Sequence, residues 1–112
     1  METGLGQKSL QAIADVVYSN IRVQEAKIFG SRAIGTFREG SDIDICLFGE
    51  ELTFSDLNCI AGELEDLNIP QIVDLVNFRT IKNENLLKHI EEFSVHLEPS
   101  SKTLVKYSPS QR

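Results

Sequence analysis

Helices packed on one small β-sheet, an α/β (α+β) arrangement, are what the sequence predicts, and three observations lead there. Stretches with apolar residues at three- and four-residue steps alternate along the chain with short runs of two-residue period. No internal repeat interrupts that alternation. The 112 residues, 41% of them hydrophobic, are enough for one modest core and one domain.

The elements follow in order. Leu10, Ile13, Ala14 and Val17 mark one face of an opening helix that reaches Tyr18. Val23, Ala26, Ile28 and Phe29 then lie in a short segment running into Gly30, which predicts a strand over 24–29. Gly30, Gly35 and the polar run from Arg38 to Ser41 break regular structure, with room for a turn of helix at Arg32 and Ala33. The clearest strand is 42–48, where Ile43, Ile45 and Leu47 take one face and Asp42, Asp44 and Cys46 the other. Gly49 closes it. Thr53 followed by Asp56 resembles a capping box and starts a helix whose stripe is Leu57, Ile60, Ala61, Leu64 and Leu67, with Glu63, Glu65 and Asp66 towards water. Gly62 inside that helix costs about 1 kcal/mol relative to Ala, and close packing on the sheet would account for it.

Pro70 ends the connection to a third strand over 71–78, with Ile72, Asp74 and Val76 on one face and Val73 and Leu75 on the other. A helix over 83–93 carries Leu86, Leu87 and Ile90, and Val95 and Leu97 alternate in a last strand at the sheet edge. Residues 1–98 thus form the expected domain. The Ser- and Lys-containing stretch 99–112 is expected to be a flexible or partner-binding tail.

Composition narrows the function. A net charge of -6 speaks against an extended nucleic-acid surface, which is normally basic, but is compatible with a small nucleotide carried with magnesium. No run of about 18 apolar residues predicts a membrane span, and the first residues lack a secretory pattern, so a cytoplasmic setting is expected. Cys46 and Cys59 are too few and too far apart for a disulfide framework or zinc site and are expected to be buried free thiols. His89 and His96 sit in different elements without acids at ligand spacing and are expected to be surface or packing residues. Nothing local marks Tyr18 or Tyr107 as a nucleotide acceptor.

The chemistry concentrates at Gly30-Ser31 and at Asp42-Ile43-Asp44. Glycine between a strand and a helical turn lets the backbone approach a phosphate, and Ser31 adds a hydroxyl donor. Alone, Gly-Ser is an ordinary loop dipeptide. Asp42 and Asp44, two apart on a strand, lie about 7 Å apart at the backbone on one face and can converge on hard cations. Taken singly, Asp42 reads as a turn cap and Asp44 as a solvated strand residue. Asp74 weakens those readings, because an acid inside Ile72-Val73-Asp74-Leu75-Val76 is costly to bury unless paired or metal-bound. If the third strand lies beside the second, Asp74 joins the other two acids.

Gly30-Ser31-Arg32-Ala33-Ile34-Gly35, Ser41-Asp42-Ile43-Asp44 and Val73-Asp74-Leu75 together resemble the minimal nucleotidyltransferases of the DNA polymerase beta superfamily, over about residues 8–98. The resemblance implies a polymerase-beta-like fold with a small mixed sheet. It implies that Gly30 and Ser31 hold the triphosphate, that Asp42 and Asp44 bind Mg2+, and that Asp74 completes a catalytic and metal-binding triad. Many small members are similar to antitoxins paired with a helical HEPN-domain protein encoded beside them, in some cases adenylylating its tyrosine. Members often carry a basic residue where this chain has Ile34, which leaves Arg32, and less so Arg38, as the candidates for phosphate contact.

The expected activity is therefore Mg2+-dependent transfer of a nucleoside monophosphate, AMP from ATP, to a hydroxyl on a HEPN-type partner. The chain is short for an enzyme that also holds an acceptor, so a partner subunit or a homodimer is expected. Two alternatives remain open: a non-catalytic nucleotide-binding antitoxin that neutralises its partner by binding, and a nucleotidyltransferase acting on a small molecule such as an aminoglycoside.

Overall fold

The computed structural model describes residues 3–38 and 40–99, so the expected tail beyond Pro99, with Tyr107, lies outside the described residues. Helix α1 (Gln7–Tyr18) is followed by β1 (Glu25–Phe29), a single helical turn α2 (Ser31–Ile34), β2 (Ile43–Phe48), α3 (Phe54–Glu65), β3 (Val73–Asn77), a 3-10 turn (Phe78–Thr80), α4 (Glu84–Phe93) and β4 (Val95–His96). The order across the sheet is β3-β2-β1-β4. Strands β1 and β2 are antiparallel, as are β1 and β4, whereas β3 lies parallel to β2. The α3 crossover makes the parallel pair possible, because parallel neighbours need a long connection.

Period-2 patterning in β2 sorts the molecule into layers. Ile43, Ile45 and Leu47, all fully buried, face the larger cluster with Ile13, Ala14 and Val17 of α1 and Ile60 and Leu64 of α3. Val73 and Leu75 of β3 pack against the same cluster. The opposite face carries Cys46 with Phe29 and Ile90, flanked by Phe48, Val76, Phe78, Ile81 and Leu86. Burying each large aliphatic side chain contributes about 1.5–3 kcal/mol, so the six-residue β2 anchors both layers. The sheet therefore has α1 and α3 on one side and α4 on the other, and Asp44, the acid of β2, lies on the α4 side.

Local chemistry sets the element ends. The Thr53 side chain accepts the Asp56 N–H while Asp56 accepts the Thr53 N–H at 2.9 Å, a complete capping box with Asp in the Glu position. Asn83 caps α4 by accepting the amides of Asn85 and Leu86. Tyr18, 2% exposed, donates its hydroxyl to the Leu97 carbonyl at 2.6 Å and accepts the Ala26 N–H at 2.9 Å, tying α1 to β1 and to the residue that follows β4. That burial removes Tyr18 as an acceptor of nucleotide.

Two expectations change. Gly62 faces open space, with nothing within 4 Å of a Cβ placed there, so close packing does not account for it. Cys46 is buried as expected, and burial pushes its thiol up to about 12, but Cys59 is exposed on α3. Position 59 falls beside the stripe that Ile60 and Leu64 define and turns towards water.

Candidate active site

Gly30 is where the site begins. It follows Phe29, the last residue of β1, and adopts φ 74° and ψ −152°, a region open essentially to glycine alone. Its carbonyl accepts the N–H groups of Ala33 and Ile34, which winds α2 immediately after the strand. Gly35, at φ 87° and ψ 9°, ends that turn in the left-handed conformation. Ser31 is the first residue of α2, and its carbonyl accepts the N–H groups of Gly35 and Thr36.

The register brings the acids to this turn. Asp44 of β2 lies opposite Phe29 in the antiparallel ladder and opposite Asp74 in the parallel one. A Cβ on Gly30 would stand 2.5 Å from Asp44 Oδ2, so only the bare glycine lets the carboxylate sit against the turn. Asp74 is exposed on the edge strand, and Asp42 is exposed just before β2. The structure thus brings Gly30, Ser31, Asp42, Asp44 and Asp74 to one end of the sheet. Burial raises the Asp44 carboxyl above its ordinary value, and the charges of Asp74 and then Asp42 raise it further, with His89 opposing.

Among the described residues no group of three His, Cys, Asp or Glu side chains is close enough to hold a metal ion as a finished cage. The donor set nonetheless suits Mg2+, a hard cation that keeps several waters and binds through one or two carboxylates plus substrate phosphate oxygens. Like charges gathered around Asp44 are what such a cation relieves.

Arg32 departs from the expected phosphate contact. It is 1% exposed, and its guanidinium donates to the carbonyl of Ser41 at 3.0 Å and of Thr3 at 3.0 Å, and stacks 5.1 Å from the Phe37 ring. Position 32 lies on the inward side of a one-turn helix, so the planar fork satisfies carbonyls of the loop that leads to Asp42. Ser41 also accepts the Arg38 N–H through its hydroxyl at 2.8 Å, closing the same loop. Ile34 is 45% exposed on the other side of α2.

The histidines are better placed than the sequence indicated. His96 lies 3.1 Å from Glu25 and 3.7 Å from Glu98, so it does have acids beside it, at the β4 edge away from the Gly30 turn. His89 on α4 accepts the Gly30 N–H through Nε2 at 3.1 Å, across 59 residues of sequence. No local pattern around position 89 signals this; only the packing of α4 against β1 creates it.

A cleft of about 620 Å3 lies between the end of α3 and the start of β3, lined by Leu64, Leu67, Ile69, Pro70 and Ile72, and of the three acids it reaches Asp74. Among the described residues no helix is long and apolar enough to cross a membrane.

Comparison with known proteins bears on the fold and the family. The family model described as "Polymerase beta, Nucleotidyltransferase" matches residues 11–100. A search of curated proteins finds no match. Among solved structures, the chain is similar to a chain of a toxin-antitoxin crystallised with AMP-PNP, at 25% identity and a TM-score of 0.67, over 91% of this chain and 89% of that one. It is similar to a chain of the toxin-antitoxin MntA-HepT, at 22% identity and a TM-score of 0.63, over 95% and 90%. It is also similar to a chain of the complex of tri-AMPylated Shewanella oneidensis HEPN toxin with MNT antitoxin, at 23% identity and a TM-score of 0.63, over 94% and 88%. The last two likenesses carry the fold alone.

Proposed function

Since the chain belongs to the polymerase beta nucleotidyltransferase family, we propose that it transfers AMP from ATP, with Mg2+, to a hydroxyl on a HEPN-type partner protein and so acts as its antitoxin. The observation that carries this reading is the register that sets Asp74 beside Asp44 and Asp44 against Gly30. Acids and phosphate turn then act on one bound triphosphate. The likeness to a toxin-antitoxin holding AMP-PNP supports ATP as donor and a toxin as partner.

Each residue has a part. Asp42 and Asp44 would hold Mg2+, which supplies neutralisation of the charge on the phosphate oxygens. The Gly30 turn and the Ser31 hydroxyl orient the triphosphate so that its α-phosphorus faces the acceptor. Asp74, exposed at the sheet edge, orients the acceptor hydroxyl and takes its proton as the new oxygen–phosphorus bond forms. The bond to the β-phosphate breaks in the same exchange, and pyrophosphate leaves. Arg32 positions the loop before Asp42 from the interior instead of touching phosphate. Preorganised geometry and electrostatics supply most of the rate.

Incubation of the purified protein with Mg2+, α-labelled ATP and the product of its genomic neighbour tests the reading. Label is expected on the partner with the wild-type chain and not with folded Asp42→Ala or Asp44→Ala. Equal labelling by both variants would refute it.

A further inference from the structure

Gly30 poses a mechanical problem that its own residue type creates. Glycine has the widest backbone freedom of any residue, yet here it must hold one conformation if the turn is to stay seated against Asp44, whose Oδ2 stands 2.5 Å from where a Cβ would be. Both polar groups of Gly30 are engaged. The carbonyl is held by Ala33 and Ile34, close by in the chain, whereas the N–H is held by His89 of α4, 59 residues away in sequence. The His89 ring is itself oriented between two aromatic rings, Phe29 at 6.3 Å edge-on and Phe93 at 5.7 Å. Because Nε2 accepts the Gly30 N–H, the ring's remaining nitrogen available to donate is Nδ1.

We propose that His89 is a positioning residue for transfer: by accepting the Gly30 N–H it fixes the peptide plane between Phe29 and Gly30 and keeps the phosphate turn seated against Asp44. This rests on the nucleotidyltransferase reading above. The role needs an acceptor at the end of a side chain of this reach, not a charge and not an aromatic ring. Gln therefore substitutes for it, whereas Phe, which preserves the ring contacts with Phe29 and Phe93, does not.

The test compares full-length wild-type, His89→Phe and His89→Gln proteins in two measurements: hydrogen exchange of the Gly30 amide by NMR, and calorimetric titration with MgATP. In His89→Phe the Gly30 amide is expected to exchange about tenfold faster and MgATP affinity to fall about fivefold to tenfold, the worth of one hydrogen bond. His89→Gln is expected to stay within about twofold of wild type in both. Unchanged Gly30 exchange in His89→Phe overturns the tether, as does a His89→Gln protein that behaves like His89→Phe. A wild-type chain that binds no MgATP instead overturns the underlying nucleotidyltransferase reading, while the exchange rates still decide whether His89 holds Gly30.

Discussion

Asp44 is the residue on which stability and function pull in opposite directions. It is half-buried, faces Asp74 across the parallel ladder and has Asp42 nearby, so its charged form is disfavoured in the metal-free fold. Asp44→Asn removes that charge with little change of shape. The variant is expected to melt at a higher temperature than wild type without Mg2+, each 1 kcal/mol being worth roughly 4–8 °C, and to lose transfer by about 100-fold or more. Calorimetry with and without Mg2+ checks both halves, because wild type is expected to gain stability from the ion and the variant is not. The alternation of β2 made the face of Asp44, opposite that of the buried Ile43 and Ile45, legible from sequence. Arg32 was not legible: an arginine beside a Gly-Ser turn looks like a phosphate ligand until the fold buries it among the carbonyls of Thr3 and Ser41.

At the scale of elements, two glycines make opposite predictions. Gly30→Ala places a methyl 2.5 Å from Asp44 Oδ2 at a positive φ, so it is expected to destabilise by about 1–3 kcal/mol and to displace the carboxylate. Gly62→Ala, in the exposed interior of α3 with open space around it, is expected to stabilise by about 0.5–1 kcal/mol. Denaturant unfolding of the two variants separates them in sign. The α3 cap carries a pH dependence. The Thr53 amide, then the Asn20 side chain, hold the Asp56 carboxyl below its ordinary value, with Arg22 adding its charge at 3.1 Å. A depressed folded pKa means that the stabilisation is complete above the unfolded value of about 3.9 and is lost as pH falls through the folded one. Asp56→Asn should therefore melt below wild type at neutral pH, with the gap closing progressively below about pH 4. This cap was legible because its two partners are three residues apart. The tether between Gly30 and His89 was not, because no periodicity links a strand end to a helix that returns on the opposite face.

The whole molecule explains why three acids separated in sequence form one site. Placing β3 parallel to β2 at the register Asp44↔Asp74 needs the α3 crossover, and the apolar stripe of α3 is what fastens that crossover to the sheet. The sequence showed each strand and each face; the order β3-β2-β1-β4, which decides which acids meet, emerges only from packing. A small sheet of this kind leaves Asp74 exposed on an edge strand, open to a hydroxyl delivered by another chain. Binding alone would neutralise a partner without changing its mass, and transfer to a small molecule would leave the partner unmodified too. The most direct test is therefore the intact mass of the HEPN-type partner after incubation with this protein, ATP and Mg2+. The account predicts a gain in whole AMP units that disappears with Asp44→Asn, and a partner inhibited by wild-type protein yet unchanged in mass would contradict it.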